Sequence, residues 1–138
     1  MKRIAIYLAA IEFLLAAVFG ASCGGDDSMN LVFNQGAGCC AGVNQTAASI
    51  RCDGSVYNFE GSILTPDPCY YLKAGLGAVN QSNVELVITA ISHPGENTGC
   101  IECAGEVSFS GTVDLSNACS RSLSIVYNGE VIAEYERQ

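Results

Sequence analysis

From Ile101 to Leu115 apolar and polar residues alternate. Ile101, Cys103, Gly105, Val107, Phe109, Gly111, Val113 and Leu115 take every second position, and Glu102, Ala104, Glu106, Ser108, Ser110, Thr112 and Asp114 take the others. A period of two puts each set on one face of an extended strand, whereas a helix would spread both sets around its circumference. Fifteen residues exceed an ordinary strand, so Gly105 or Gly111 is expected to mark a bulge or bend.

The same period recurs. Tyr57, Phe59 and Ile63 share a face of Ser55–Leu64, and Tyr70, Leu72, Ala74 and Leu76 share a face of Cys69–Ala78. Val84, Leu86, Ile88 and Ala90 line one side of Val84–Ile91, with Val87 and Ile91 on the other, which fits a central strand covered on both faces. Thr46–Arg51 is a weaker strand that runs into an Asp53-Gly54 turn. Leu123, Ile125 and Tyr127 alternate up to Asn128-Gly129, the strongest short-range hairpin signal, which returns the chain through Val131–Tyr135. Breakers fall between these runs at Thr65-Pro66-Asp67-Pro68, His93-Pro94-Gly95-Glu96-Asn97 and Ser116–Ser120. No amphipathic helix follows residue 30. Short strands with turn residues between them predict an all-β domain, a single antiparallel immunoglobulin-like β-sandwich, with a small barrel as the alternative.

The first residues follow another pattern. Met1-Lys2-Arg3 is basic, Ile4–Phe19 is apolar except for Glu12, and Gly20-Ala21-Ser22 are small. This is the layout of a secretory signal peptide over residues 1–22. The apolar run is 16 residues, short of the roughly 20 that span a bilayer. Gly20-Ala21-Ser22-Cys23 resembles the lipobox of bacterial lipoproteins, in which the cysteine becomes the acylated first residue. Gly24-Gly25-Asp26-Asp27-Ser28 then reads as a flexible tether. The expected organisation is a signal peptide over 1–22, a lipid-anchored tether and cysteine-containing lead-in over 23–46, and the β-sandwich over 47–138. The chain is expected on the outer side of a membrane in the cell envelope, or else secreted or periplasmic.

Cysteine usage fits export. All eight cysteines lie at or beyond the cleavage site. With Cys23 the lipidation site, Cys39, Cys40, Cys52, Cys69, Cys100, Cys103 and Cys119 are the disulfide candidates, and one thiol is left over. Cys39 and Cys40 are adjacent, so each is expected to pair elsewhere. Cys100-Ile101-Glu102-Cys103 is a C-x-x-C. On a regular strand its cysteines would lie about 10 Å apart on opposite faces, beyond the ~7 Å reach of a disulfide. Either each finds a different partner or the segment bends. A thiol-redox motif would need the first cysteine at a helix N-terminus, and a structural zinc site a second ligand pair.

Three stretches together carry a resemblance: Gly61–Cys69, with its Thr65-Pro66-Asp67-Pro68-Cys69 segment, then Cys100–Val107, then Val126–Gly129. They resemble a loosely defined group of small exported prokaryotic proteins, often lipoproteins, with a T-P-x-P-C segment and a later C-x-x-C strand. Tyr70 stands where that group carries a histidine. The resemblance implies a single β-sandwich domain of unassigned function and a cystine linking Cys69 with Cys100 or Cys103.

Charge and chemistry narrow the function classes. Removing residues 1–22 takes away Lys2, Arg3 and Glu12 and leaves 116 residues with 13 acids, 4 bases and a net charge of −9. That sign excludes a nucleic-acid phosphate binder and repels anionic lipid, so membrane attachment would come from the acyl group on Cys23. The single histidine, His93, sits in a turn and excludes any metal site that needs two. Glu102 and Glu106 share the polar face of the predicted strand; such carboxylates serve acid–base work when their environments differ and otherwise remain solvated charges. No phosphate loop, nucleophile elbow or dinucleotide fingerprint occurs. The expectation is a non-enzymatic envelope protein without metal or cofactor, which binds an unknown protein or polymer partner. The candidate binding loops are Thr65, Pro66, Asp67 and Pro68, and His93, Pro94, Gly95, Glu96 and Asn97. The alternatives are a protease-inhibitor-like module that presents such a loop, and a thiol-redox or zinc protein built on Cys100 and Cys103.

Overall fold

The computed structural model describes residues 29–42, 45–92, 100 and 102–137. Residues 1–22 and Cys23 lie outside them. The described chain forms β1 (Asn30–Gln35), β2 (Cys39–Cys40), β3 (Ala47–Asp53), β4 (Val56–Thr65), β5 (Tyr70–Val79), β6 (Asn83–Ser92), β7 (Gly105–Asp114), β8 (Ser122–Tyr127) and β9 (Glu130–Tyr135), with a short 3₁₀ turn at Ala118–Ser120. Two sheets result. Sheet A has the order β1-β7-β4-β3, with β2 also on β7, and sheet B the order β5-β6-β8-β9. Among the described residues no helix is long and apolar enough to cross a membrane.

The alternation seen in the sequence builds the core between the sheets. Tyr57, Phe59 and Ile63 of β4 and Val107, Phe109 and Val113 of β7 are buried from sheet A; Leu72, Val84, Leu86, Ile88, Leu123 and Ile125 are buried from sheet B. Fully burying such a side chain contributes about 1.5–3 kcal/mol. Phe33, Phe59 and Phe109 form a triangle with ring centroids 6.1–6.3 Å apart. Glycines make room for it: Phe59 lies opposite Gly111 and Phe109 opposite Gly61 in the β4–β7 register. A Cβ on Gly111 would sit 2.1 Å from the Val32 carbonyl oxygen and 2.5 Å from the Phe59 ring.

The turns match their residues. Asn128 and Gly129 both have positive φ, 51° and 80°, and join β8 to β9 as a two-residue hairpin loop in which Tyr127 faces Glu130. Gly54, at φ 62°, turns β3 into β4, with Asp53 opposite Val56. The hydroxyl of fully buried Tyr57 reaches the carbonyls of Ala118 and Arg121, the latter at 2.7 Å, and ties β4 to the 3₁₀ turn.

The two-sheet, disulfide-stapled sandwich stands, with three corrections of detail. Sheet B is mixed, because β6 and β8 run parallel. The chain leaves β6 for β7 in the other sheet and returns beside β6 in the same direction, a crossover that forces this pairing. The expected bulge in β7 is absent: its register with β1 and β4 is continuous through Gly105 and Gly111. The glycines are there for close approach, and the register shifts fall at Leu76/Val79 and Ile125/Val126 instead. Strand β7 also begins at Gly105 rather than Ile101. Within the lead-in, β1 pairs along β7 from Asn30 to Gln35 and β2 pairs at Cys39 and Cys40.

Three disulfides tie these elements. Cys40–Cys103 joins β2 to the approach of β7, Cys69–Cys100 joins the approaches of β5 and β7, and Cys52–Cys119 joins β3 to the 3₁₀ turn. Their Cα atoms are 5.7–5.9 Å apart. Three bridges in one small domain place it in an oxidising, extracellular or periplasmic environment. Cys39, exposed on β2, has no disulfide partner among the described residues.

Candidate functional site

The outer face of sheet A carries a trough built by register. Across the four strands, Asn34, Ser110, Glu60 and Ser49 stand in one row. In the next row Ser108, Ser62 and Ala47 are neighbours, and Gly36 joins them by donating its N–H to the Ser108 carbonyl at 2.9 Å. Beyond it Cys39, Glu106 and Leu64 form a third row. The middle row is made of the smallest side chains and is therefore the lowest. A Cβ on Gly36 would lie 2.3 Å from the Ser108 hydroxyl, so only glycine leaves the floor open there.

The hollow holds about 580 Å³ and is lined by Asn34, Gly36, Glu60, Ser62, Glu106, Ser108 and Ser110 among others. The hydroxyls along its floor can donate and accept, Asn34 adds an amide, and Glu60 and Glu106 place a carboxylate on each flanking row. The Glu106 side chain is held in place: its Oε2 accepts the Gly42 N–H at 3.2 Å. A smaller hollow continues past Glu60 along Ser49, Arg51 and Asn58. Cys39 stands at the Glu106 end.

The candidates from the sequence fall elsewhere. Thr65–Pro68 is the corner between β4 and β5, and only Pro66 in it is exposed. Buried Thr65 donates its hydroxyl to the Asp67 carbonyl at 2.7 Å, and Asp67 Oδ1 accepts the Cys69 N–H at 2.9 Å. The turn backbone also lies against Gly38 and Gly105, where an added Cβ would meet the carbonyls of Pro68 and Asp67. The corner is thus packed into the fold rather than held out from it. His93–Asn97 lies outside the described residues. Glu102 and Glu106 are not on one strand face: Glu102 is in the bend before β7, while Glu106 is in β7 at the trough.

The C-x-x-C is divided between partners, Cys100 with Cys69 and Cys103 with Cys40. The donor atoms of Asp67, Cys69 and Cys100 lie close enough for a metal ion. Two of those three donors are the sulfurs of one disulfide, so neither is a thiolate while the bridge stands. The trough itself was hidden in the sequence. The run Glu106, Ser108, Ser110, Thr112 reads as a plain solvent face, and the depth comes from what β1, β3 and β4 set beside it. Comparison with protein-family models, curated proteins and solved structures finds no match.

Proposed function

We propose that this chain is an exported cell-envelope protein, anchored in a membrane through acylated Cys23, and that its sandwich is a non-enzymatic binding module whose recognition surface is the outer trough of sheet A. The observation that carries this reading is the trough: a glycine- and serine-floored hollow of about 580 Å³ with a carboxylate on each side. Its chemistry fits a polar, extended partner bearing cationic groups. Hydroxyls and the Asn34 amide would take hydrogen bonds along its length, and Glu60 and Glu106 would pair with amino or guanidino groups. The net charge of −9 on residues 23–138 favours the encounter with such a partner. The polar tether 24–28 would hold the module away from the lipid.

Titration with a short oligolysine peptide tests the reading, with neutral and acidic oligosaccharides as comparison ligands. The expected result is saturable, salt-sensitive binding of the cationic peptide. Joint replacement Glu60→Gln and Glu106→Gln is expected to weaken it about tenfold or more, since about 1.4 kcal/mol is a factor of ten. Filling the floor with Ser62→Gln and Ser108→Gln is expected to do the same without a change of charge. Equal binding by all three proteins would contradict the assignment of the trough.

A further inference from the structure

Strand β5 is an edge of sheet B, and among the described residues nothing pairs with its second half. From Ala74 to Val79 the sequence is Ala-Gly-Leu-Gly-Ala-Val, with Gly75, Gly77, Ala78 and Val79 exposed. Edges of this kind carry unpaired N–H and C=O groups and are normally blunted by charge, proline or cover. Among the described residues, cover is found at the other end, where the Gln35 side-chain carbonyl accepts the Leu72 N–H.

That contact shows which backbone groups face outward. In an antiparallel pair the polar groups of alternate residues point to opposite sides. The Leu72 amide is directed away from β6, so those of Ala74 and Leu76 are too. Among the described residues no strand lies beyond β5 to take them.

The side chains along this edge are self-complementary. Lys73 is exposed on the outer face, with its Nζ 5.8 Å from the Tyr71 ring centroid. Four residues on, Gly77 has no side chain, and the Glu85 carboxylate and a Val87 methyl of β6 share the space: Glu85 Oε1 lies 2.8 Å and Val87 Cγ2 2.9 Å from where a Gly77 Cβ would be. Glu85 therefore lies over β5 at Gly77, within reach of a side chain that crosses the edge there. Each copy thus presents a cation and an anion spaced symmetrically about Gly75, where an added Cβ would meet nothing within 4 Å.

We propose that the β5 edge is a self-association surface that takes the same edge of a second copy, antiparallel and centred on Gly75. In this register Ala74 of each copy faces Leu76 of the other, and each such pair exchanges both backbone hydrogen bonds. Lys73 faces Gly77 of the partner subunit at the close, non-hydrogen-bonded position, and extends across it to Glu85 of the partner subunit. Two ion pairs and two hydrogen-bonded residue pairs follow from one two-fold axis, and the contact is closed because both partners use the same patch. Sheet B then continues from one copy into the next.

The test uses the full exported protein carrying Cys39→Ser, so that no disulfide through that thiol can mimic the contact. Unlabelled and heavy-nitrogen-labelled protein are mixed and treated with a zero-length carbodiimide, and sedimentation is measured in parallel. The expected result is a dimer, with a Lys73–Glu85 crosslink that joins one light and one heavy chain. K73E alone and E85K alone are each expected to sediment as monomers, because each sets like charges against one another twice. Mixing the two variants is expected to restore the dimer, since both opposite-charge pairs re-form between them. Leu76→Pro removes an outward-facing amide together with part of the Leu76 contact with the core, and is expected to abolish the dimer while a cooperative thermal transition remains at a lower temperature; Leu76→Ala, which loses the same contact but keeps the amide, is expected to stay dimeric. A monomeric parent protein, a dimer indifferent to either charge reversal, or a failure of the mixed variants to associate would overturn the proposal.

Discussion

Tyr57 shows how one side chain can hold two parts of the chain together. Its ring is fully buried beside Tyr135, centroid to centroid 5.6 Å and edge-on, and its hydroxyl reaches the carbonyls of Ala118 and Arg121. Burial, reinforced by Tyr135, pushes the phenol above its ordinary pKa, against a smaller opposing pull from Arg121. The folded chain therefore favours the neutral phenol. Its contribution is complete below the unfolded pKa of about 10 and is lost as pH rises through the higher folded value. Tyr57→Phe is expected to cost about 1–3 kcal/mol, because it removes the donor and leaves the carbonyls without it. Urea unfolding at neutral pH reads this loss, and the same variant should show a shallower fall in stability across the alkaline range. Gly111 makes a second case at this scale. Gly111→Ala would drive a methyl into the Val32 carbonyl and the Phe59 ring, and is expected to destabilise by about 1–3 kcal/mol as an overpacked site. Thermal unfolding against the parent protein checks it.

At the scale of elements, the strands with a buried apolar face were legible in the sequence. Tyr57, Phe59 and Ile63, and Val84, Leu86 and Ile88, keep the period that registers against a core, and the predicted ends lie within a residue or two of those found. Strand β1 was missed because it is a half-covered edge: Leu31 and Phe33 pack on the core, while Asn30, Asn34 and Gln35 read as tether. The alternation runs on through Ile101 and Cys103 and so predicts too early a start for β7, whereas Glu102 and Cys103 form a bend, Cys100 and Cys103 bridge to Cys69 and Cys40, and the ladder begins at Gly105. The parallel β6–β8 pair had no signature, since a strand's residues do not state its neighbour's direction. The trough was illegible for a related reason: Gly36, Ser108 and Ser62 are 72 and 46 residues apart in sequence and become a floor only once three registers are fixed. The bridges are testable at this scale. Cys69–Cys100 closes a span of 31 residues, and its removal as Cys69→Ala with Cys100→Ala is expected to cost about 2–4 kcal/mol. It should also open the Thr65–Pro68 corner to proteolysis near Pro66. Limited digestion with the bridge intact and absent measures that directly, and equal cleavage of both proteins would contradict the pinned corner.

The whole molecule is arranged around two surfaces that the core does not use. One is the outer face of sheet A, polar and acidic, with its small-residue floor. The other is the β5 edge of sheet B, uncharged along the backbone and flanked by Lys73 and Glu85. They belong to different sheets and meet at Gln35, which lines the trough and whose side-chain carbonyl accepts the Leu72 N–H on β5. In the proposed reading the acidic surface, the tether and an acyl group on Cys23 act together: lipid would hold the chain to a membrane while the sandwich faces away from it. Cysteine parity makes this account exact in mass. Six cysteines are bridged and Cys39 is free among the described residues, which leaves Cys23 for the acyl group. The most direct measurement is therefore the intact mass of the mature protein from its native envelope, before and after thiol alkylation. The expected result is a chain that begins at Cys23, carries acyl groups there, lacks the six hydrogens of three disulfides and takes up one alkyl group, on Cys39. A chain that begins elsewhere, an unmodified Cys23, or a fourth bridge joining Cys23 to Cys39 would contradict the lipid-anchored reading.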